Sequence, residues 1–249
     1  SMCGIFAFIN KISAFSISMD LRQRLINGWN CGSRRGPEHS IMKEYIYGML
    51  GFHRLAINGL DSISNQPLEK DGCVLICNGE IYNWKQLYNM MGIEPTTKSD
   101  CEVIIYLYKL LGIEETCKLL DGVFSFVLLD KTTNMVYIGH DPLGIRSLYM
   151  TTHNNGLLIS SEMKCLTDYN GYITMIKPGV YHSYNLNTDI HETYTYFSLI
   201  FETTYTNDIE SIGMIRELLF ESVKKRLLSN RPIGCLLSGG LDSSITSAL

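Results

Sequence analysis

Short stretches rich in apolar and aromatic residues recur over much of the N-terminal part of the chain, and the first of them alternates. Cys3 to Ile9 is the first, and it is rich in aromatics. Tyr45 to Leu50, Cys73 to Cys77, Val123 to Leu129, Met135 to Gly139, Leu148 to Thr152 and Leu157 to Ser160 follow as predicted strands. Asn, Gly and Asp punctuate them, as in Asn154-Asn155-Gly156 and in Asp130 to Asn134. Helical spacing occurs twice. Asp20 to Trp29 puts Leu21, Leu25, Ile26 and Trp29 on one face. Ser99 to Leu111 opens with Ser99-Asp100-Cys101-Glu102, the pattern of a capping box. Many strands and few helices predict an α+β fold of antiparallel sheets with helices packed outside them.

The pattern changes near residue 206. Asn207 to Glu210 is suited to cap a long amphipathic helix lined by Ile212, Ile215, Leu219, Val223 and Leu227. Lys224, Lys225 and Arg226 fall in its last turns, where the helix dipole favours cations. Ile233 to Leu237 then reads as a buried strand. It runs into Ser238-Gly239-Gly240-Leu241-Asp242-Ser243-Ser244 and the start of another helix. Helix, strand, glycine loop and helix are how a parallel α/β domain begins. Two domains are therefore expected, residues 2–205 and residues 206–249, the second being the opening piece of a longer domain.

Composition narrows the function classes. A formal charge of -4 argues against a general binder of nucleic acid or anionic membrane, so neither is an expected partner. No apolar run approaches the roughly 20 residues of a membrane span. The eight cysteines are dispersed among apolar neighbours. Small core thiols in a reducing, cytoplasmic setting are expected, not disulfides. Cys73 and Cys77 would share a metal only on a helix, and CVLIC is a better strand. The histidines lack metal-ligand spacing, so no metal centre is expected in this part. His140 is read as structural, and His53 as packing beside Arg54.

The chain begins Ser1-Met2-Cys3-Gly4. Ser1 reads as an addition ahead of a natural Met2. With Met2 removed, Cys3 carries a thiol and a free α-amine, a nucleophile and its base in one residue. An acyl-transfer thiol needs oxyanion donors and groups that hold the substrate. Asn78-Gly79, at the end of a predicted strand, offers a carboxamide and a backbone N–H. Arg54 is suited to clamp a carboxylate. Asp100, in the first turn of a helix, is suited to an ammonium group. Taken singly, each has a commoner role: a turn, a surface ion pair, an acid complementing a helix dipole. Taken together they describe an α-amino acid with a reactive side chain, and glutamine fits.

Several segments occur in order: MCGI, RRGPE at Arg34 to Glu38, FHRLAI at Phe52 to Ile57, CNGEIYN at Cys77 to Asn83, SDCEVI at Ser99 to Ile104, DGVFSFVLLD at Asp121 to Asp130, HDPLGIRSLY at His140 to Tyr149 and SSEMK at Ser160 to Lys164. In this the chain resembles the glutaminase domain of class II glutamine amidotransferases, N-terminal-nucleophile hydrolases with a four-layer αββα sandwich. GCLLSGGLDSS at Gly234 to Ser244 is similar to the glutamine-hydrolysing asparagine synthetases within that class. The resemblance implies that Cys3 forms a thioester with glutamine and releases ammonia, with Asn78 and Gly79 as the oxyanion hole. It implies that Arg54 holds the carboxylate and Asp100 the α-amine, and that Leu55, Ala56, Ile57, Asn58 and Glu80 complete the pocket. It further implies that Leu237, Ser238, Gly239, Gly240, Asp242 and Ser243 bind ATP with Mg2+. ATP would activate aspartate, which the ammonia then converts to asparagine.

The chain departs from that family at a few points. Arg34 stands where a His is usual. Asn58-Gly59 replaces a Val-Asp pair, which bears on the glutamine pocket. His140 and Ser147 replace an Arg and a Pro. Two readings stay open beside glutamine-dependent asparagine synthesis: a class II amidotransferase with a different acceptor, and a non-catalytic amidotransferase-like interaction domain. The apolar face of the helix from Glu210 also leaves self-association, as a homodimer, open.

Overall fold

The computed structural model describes residues 3–10, 17–154, 156–201 and 207–249. The chain divides into two compact units, Ser1–Ser198 and Leu199–Leu249. The expected boundary between 205 and 206 lies outside the described residues.

The first unit holds two antiparallel sheets of six strands each. Sheet A contains β1 (Gly4–Asn10), β2 (His39–Tyr45), β3 (Gly48–Arg54), β8 (Tyr149–His153), β9 (Gly156–Ser160) and β10 (Thr174–Met175), in the spatial order β10-β8-β9-β1-β3-β2. Sheet B contains β4 (Leu68–Lys70), β5 (Cys73–Ile81), β6 (Gly122–Asp130), β7 (Met135–His140), β11 (Val180–Asn185) and β12 (Ile190–Thr195), in the order β12-β11-β7-β6-β5-β4. The helices are α1 (Met19–Asn30), α2 (Trp84–Met91), α3 (Val103–Leu111) and α4 (Ile113–Leu119).

Strand alternation sorts the side chains into three cores. Ile5, Ala7 and Ile9 of β1 meet Val74 and Ile76 of β5 and Val127 of β6 between the sheets. Phe6 and Phe8 point the other way, onto Leu25 of α1. Leu75, Cys77, Phe124 and Phe126 face Ile104, Leu107 and Cys117 of α3 and α4. Both sheets are thus covered on both faces, the αββα layering expected from the resemblance. The central strands are apolar on each side because neither side meets water.

Three local expectations change. Tyr45 to Leu50 is not one strand. It spans the end of β2, a two-residue turn at Ile46-Tyr47 and the start of β3, with Tyr45 paired to Gly48. The turn residues are apolar, so no Gly, Asn or Asp marked it. The Ser99 capping box does not form: Ser99 makes no side-chain cap, and a 3-10 turn at Asp100–Glu102 precedes α3. Glu102 instead accepts hydrogen bonds from the backbone of Thr96, at 3.1 Å, and Thr97, at 2.8 Å. Lastly, the alternation of aromatic and polar residues over Tyr181 to Tyr196 predicts exposed strand faces, and only half of that stretch is exposed. β11 is buried and only β12 is exposed, because β11 lies between β7 and β12.

In the second unit, α5 (Asp208–Lys225) starts as expected, with the Asn207 side chain accepting from the Glu210 amide at 2.9 Å. Its last turn carries Lys224 and Lys225. Ile212, Ile215 and Leu227 are exposed. The expected strand over Ile233 to Leu237 is absent: the segment forms no ladder with any described residue, and Leu236 is 95% exposed. A buried strand exists only where neighbours supply its hydrogen bonds. Then comes α6 (Leu241–Ala248).

Candidate active site

One cleft in the first unit, enclosing about 460 Å3 with its open mouth, collects the predicted residues. Cys3, Arg54, Leu55, Ala56, Ile57, Asn58, Asn78, Gly79, Glu80 and Asp100 all line it. They come from the start of β1, the end of β3 and the loop after it, the end of β5, and the turn before α3. β1 and β3 are neighbours in sheet A, and β5 faces them from sheet B, so strand ends far apart in sequence converge here.

Cys3 lies just before β1. Its Sγ is 3.3 Å from both the amide nitrogen and the carbonyl oxygen of Leu55, accepting from one and donating to the other. Burial pushes the thiol up to about 11. At neutral pH it is therefore a thiol, and its activation needs a base close by. The carbonyl of Cys3 accepts from Arg35 Nε at 2.8 Å. Hydrogen bonding orients the Asn78 carboxamide with Nδ2 donating to the same carbonyl at 3.1 Å and Oδ1 accepting from Arg35 Nη2 at 3.3 Å. Arg35 Nη1 pairs with Glu162 at 3.3 Å. Asn78 keeps a second N–H beside the sulfur-bearing residue, the arrangement an oxyanion donor requires. Gly79 is needed for packing as well, since a Cβ there would come within 2.6 Å of the Val123 carbonyl.

Arg54 is buried, and its terminal nitrogens serve the loop that follows it. Nη1 donates to the Asp61 carbonyl at 3.0 Å and to Asn65 Oδ1 at 2.6 Å. Nη2 donates to the Gly59 carbonyl and, at 3.4 Å, to the Asn58 carbonyl. The unusual Asn58-Gly59 pair follows from this loop. Gly59 has a φ of +60°, and a Cβ on it would lie 2.5 Å from Ser64 Oγ, so the more usual Asp has no room. Asn58 turns its side chain to Asp100, whose carboxylate also accepts from the Ile81 amide at 2.7 Å. Burial is the largest influence on Asp100, and the charge of Glu80 adds to it; its carboxyl rises from 3.8 to about 6.

Several site residues were not singled out in the sequence. Arg35 and Glu38 sit in the RRGPE segment, and Glu38 accepts from the Ala56 amide at 3.1 Å. Gln66 substitutes for a strand: its Oε1 accepts from Cys77 N at 2.5 Å and its Nε2 donates to Cys77 O at 3.1 Å. Cys77 and Cys101, read as core thiols, also line the cleft, as does Arg146 of HDPLGIRSLY. Their motifs were visible, but nothing in a linear pattern says which members reach a common cleft. His140 is wholly buried and holds the Ile176 carbonyl through Nδ1 at 2.9 Å, in keeping with a structural part. His53 bridges Ser40 and the Trp29 carbonyl and stacks on the Trp29 ring.

The second predicted cluster stands in the other unit. Gly239 has a φ of +82°, Gly240 caps α6, and Ser238 Oγ lies 2.9 Å from Ser243 Oγ. Among the described residues, no group of three or more His, Cys, Asp or Glu side chains is arranged to hold a metal ion. No helix among them is long and apolar enough to cross a membrane.

Comparisons with known proteins separate along the same line. A family model described as a glutamine amidotransferase domain matches residues 2–207, and one described as asparagine synthase matches residues 214–249. The chain is 34% identical, over its whole length, to the glutamine-hydrolysing asparagine synthetase of Gallus gallus, of which it covers 48%. It is 33% identical to a probable enzyme of the same name from Acanthamoeba polyphaga mimivirus, covering 49% of it, and 32% identical to that of Homo sapiens, covering 48%. The chain thus spans about half the length of the curated relatives it matches. Among solved structures, the glutamine phosphoribosylpyrophosphate amidotransferase of B. subtilis shares the fold. The TM-score is 0.65 at 21% identity, over 80% of this chain and 50% of that one.

Proposed function

Because the chain belongs to the glutamine amidotransferase domain family, we propose that its first unit hydrolyses glutamine to glutamate and ammonia through a thioester on Cys3. The observation that carries this reading is the convergence of Cys3, Asn78, Arg54 and Asp100 on one cleft from separate strand ends. Once Cys3 is the first residue, its α-amine takes the thiol proton as Sγ adds to the side-chain carbonyl of glutamine. Asn78 Nδ2 and the Gly79 N–H receive the oxyanion. The protonated amine gives its proton to the leaving nitrogen, and ammonia departs. Water, deprotonated by the same amine, then adds to the thioester, and its collapse returns the thiol and yields glutamate. Asp100 holds the α-ammonium group. Arg54 holds the carboxylate, which displaces the longest of its contacts, that to the Asn58 carbonyl.

The similarity to asparagine synthetases over both units supports a wider reading. The ammonia is consumed by ATP-activated aspartate in a protein that includes the second unit. Ser238, Gly239, Gly240 and Ser243, with Leu237 beside them, suit a nucleotide polyphosphate: a Cβ at Gly239 would meet nothing within 4 Å, and α6 starts directly after. Asp242 supplies the carboxylate that a Mg2+ ion on such a polyphosphate needs, and the ion neutralises phosphate charge. We assign residues 2–205 to glutamine hydrolysis and 206–249 to the synthetase part. Eight unpaired thiols suit the cytoplasm.

The test combines intact mass, glutaminase turnover and labelling by 6-diazo-5-oxo-norleucine. Protein beginning at Cys3 should release glutamate and be labelled on Cys3, and Cys3→Ala should do neither. Full turnover by protein that retains Met2 would refute the mechanism.

A further inference from the structure

The HDPLGIRSLY segment has no part in the chemistry above, yet it ends at the glutamine cleft. Asp141, its second residue, is 1% exposed. Its carboxylate accepts from the amides of Phe124 at 3.2 Å, Leu143 at 3.0 Å, Ile145 at 3.0 Å and Arg146 at 3.1 Å. One buried acid therefore gathers the whole turn and ties it to β6. The turn delivers Arg146 to the cleft, where Nη2 lies 3.0 Å from Glu80 Oε1. The two side chains are 12% and 18% exposed, so water screens the pair weakly. Among the described residues, Arg146 Nε is buried with no partner and Glu80 is the one side chain that holds the guanidinium.

The charges around the ammonium end are few. Asp100 feels the charge of Glu80, and Arg146, Arg54 and the thiols of Cys3, Cys77 and Cys101 line the same cleft. Glu80 lies on β5 and Asp100 in the turn before α3, and both line that cleft. A zwitterion needs one free anion and one cation there, not two anions competing for a proton. We infer that Arg146 is a positioning residue of the glutamine pocket: it fixes the Glu80 carboxylate and neutralises it beside Asp100, leaving Asp100 as the anion that meets the α-ammonium group. This rests on the glutamine reading for its substrate, but the charge relationship can be measured without turnover.

Two readouts test it on the whole chain. In Arg146→Gln, KM for glutamine should rise about 10-fold or more, with kcat reduced much less. Arg146→Lys should recover part of the loss. The double variant Glu80→Gln, Arg146→Gln should lose no more than Glu80→Gln alone, because the arginine acts through that carboxylate. The second readout is the 13C titration of the Asp100 carboxyl, assigned with Asp100→Asn. Its midpoint should move up in Arg146→Gln and back down in the double variant. An unmoved midpoint in Arg146→Gln, or losses that simply add in the double variant, would overturn the proposal. Absence of turnover in the parent chain, with the Asp100 midpoint shifting as stated, would sink the glutamine reading and leave the charge relationship standing.

Discussion

Asn78 reaches across from sheet B to donate to the carbonyl of Cys3, just ahead of the interior strand β1 of sheet A, at 3.1 Å. The proposed oxyanion donor and the proposed nucleophile are thereby tied by one hydrogen bond. Asn78→Ala should lower kcat roughly 100- to 1000-fold while the thiol still reacts with a small alkylating agent. A single-turnover measurement separates the slowed thioester formation from binding.

Arg35 holds both partners of that bond, through Nε to Cys3 and Nη2 to Asn78. Arg35→Lys keeps a charge but has no planar fork to reach both. It should lower kcat about 10-fold or more with KM nearly unchanged. Equal loss in kcat for Arg35→Lys and Arg34→Lys would contradict this assignment, since only Arg35 makes these contacts.

Asp100 carries a pH signature. Its carboxyl stands at about 6, above the ordinary 3.8, chiefly because it is buried. On the proposed reading glutamine binding needs the ionised form, so kcat/KM should fall as pH drops through about 6. Stability runs the opposite way. The native state holds this proton more tightly than the unfolded chain, so ionisation costs stability as pH rises from about 4 to 6. Asp100→Asn should therefore stabilise the fold by about 3 kcal/mol at pH 7 to 8, with the gain vanishing below pH 4, while glutamine turnover is lost. Denaturant midpoints at both pH values check the sign.

Gly59 is tied to the Arg54 loop by its backbone. With φ at +60° and Ser64 Oγ 2.5 Å from any Cβ, Gly59→Ala should cost about 2 kcal/mol or more. It should also raise KM for glutamine, because Gly59 and its neighbours seat the guanidinium. Thermal unfolding and steady-state kinetics report the two effects separately.

Gln66 stands in for a strand against Cys77. Gln66→Leu leaves a buried N–H and a buried C=O unpaired and should cost about 2–4 kcal/mol. Hydrogen exchange at the Cys77 amide should quicken well before global unfolding; exchange that tracks global unfolding would deny the local role.

What the linear pattern settled is what short range physics settles. Short apolar runs at Cys3 to Ile9, Cys73 to Cys77 and Val123 to Leu129, bounded by turn residues, defined strands, because both faces of each leave water. The segments bearing Cys3, Arg54, Asn78, Gly79 and Asp100 suggested the proposed chemistry, and the fold brings these residues to one cleft. The folded molecule decided the rest. Ile46-Tyr47 became a turn because β2 and β3 pair around it, although both residues favour strands. Glu102 abandoned Ser99 for the Thr96 and Thr97 amides, since a buried acid takes whichever donors the packing presents. Ile233 to Leu237 made no strand, because its apolar pattern states a preference and a ladder requires a neighbour. Arg35, Gln66 and Arg146 joined the site for the same reason: their partners lie on other strands, and separation along the chain carries no record of which charge or amide will face them once two sheets stack.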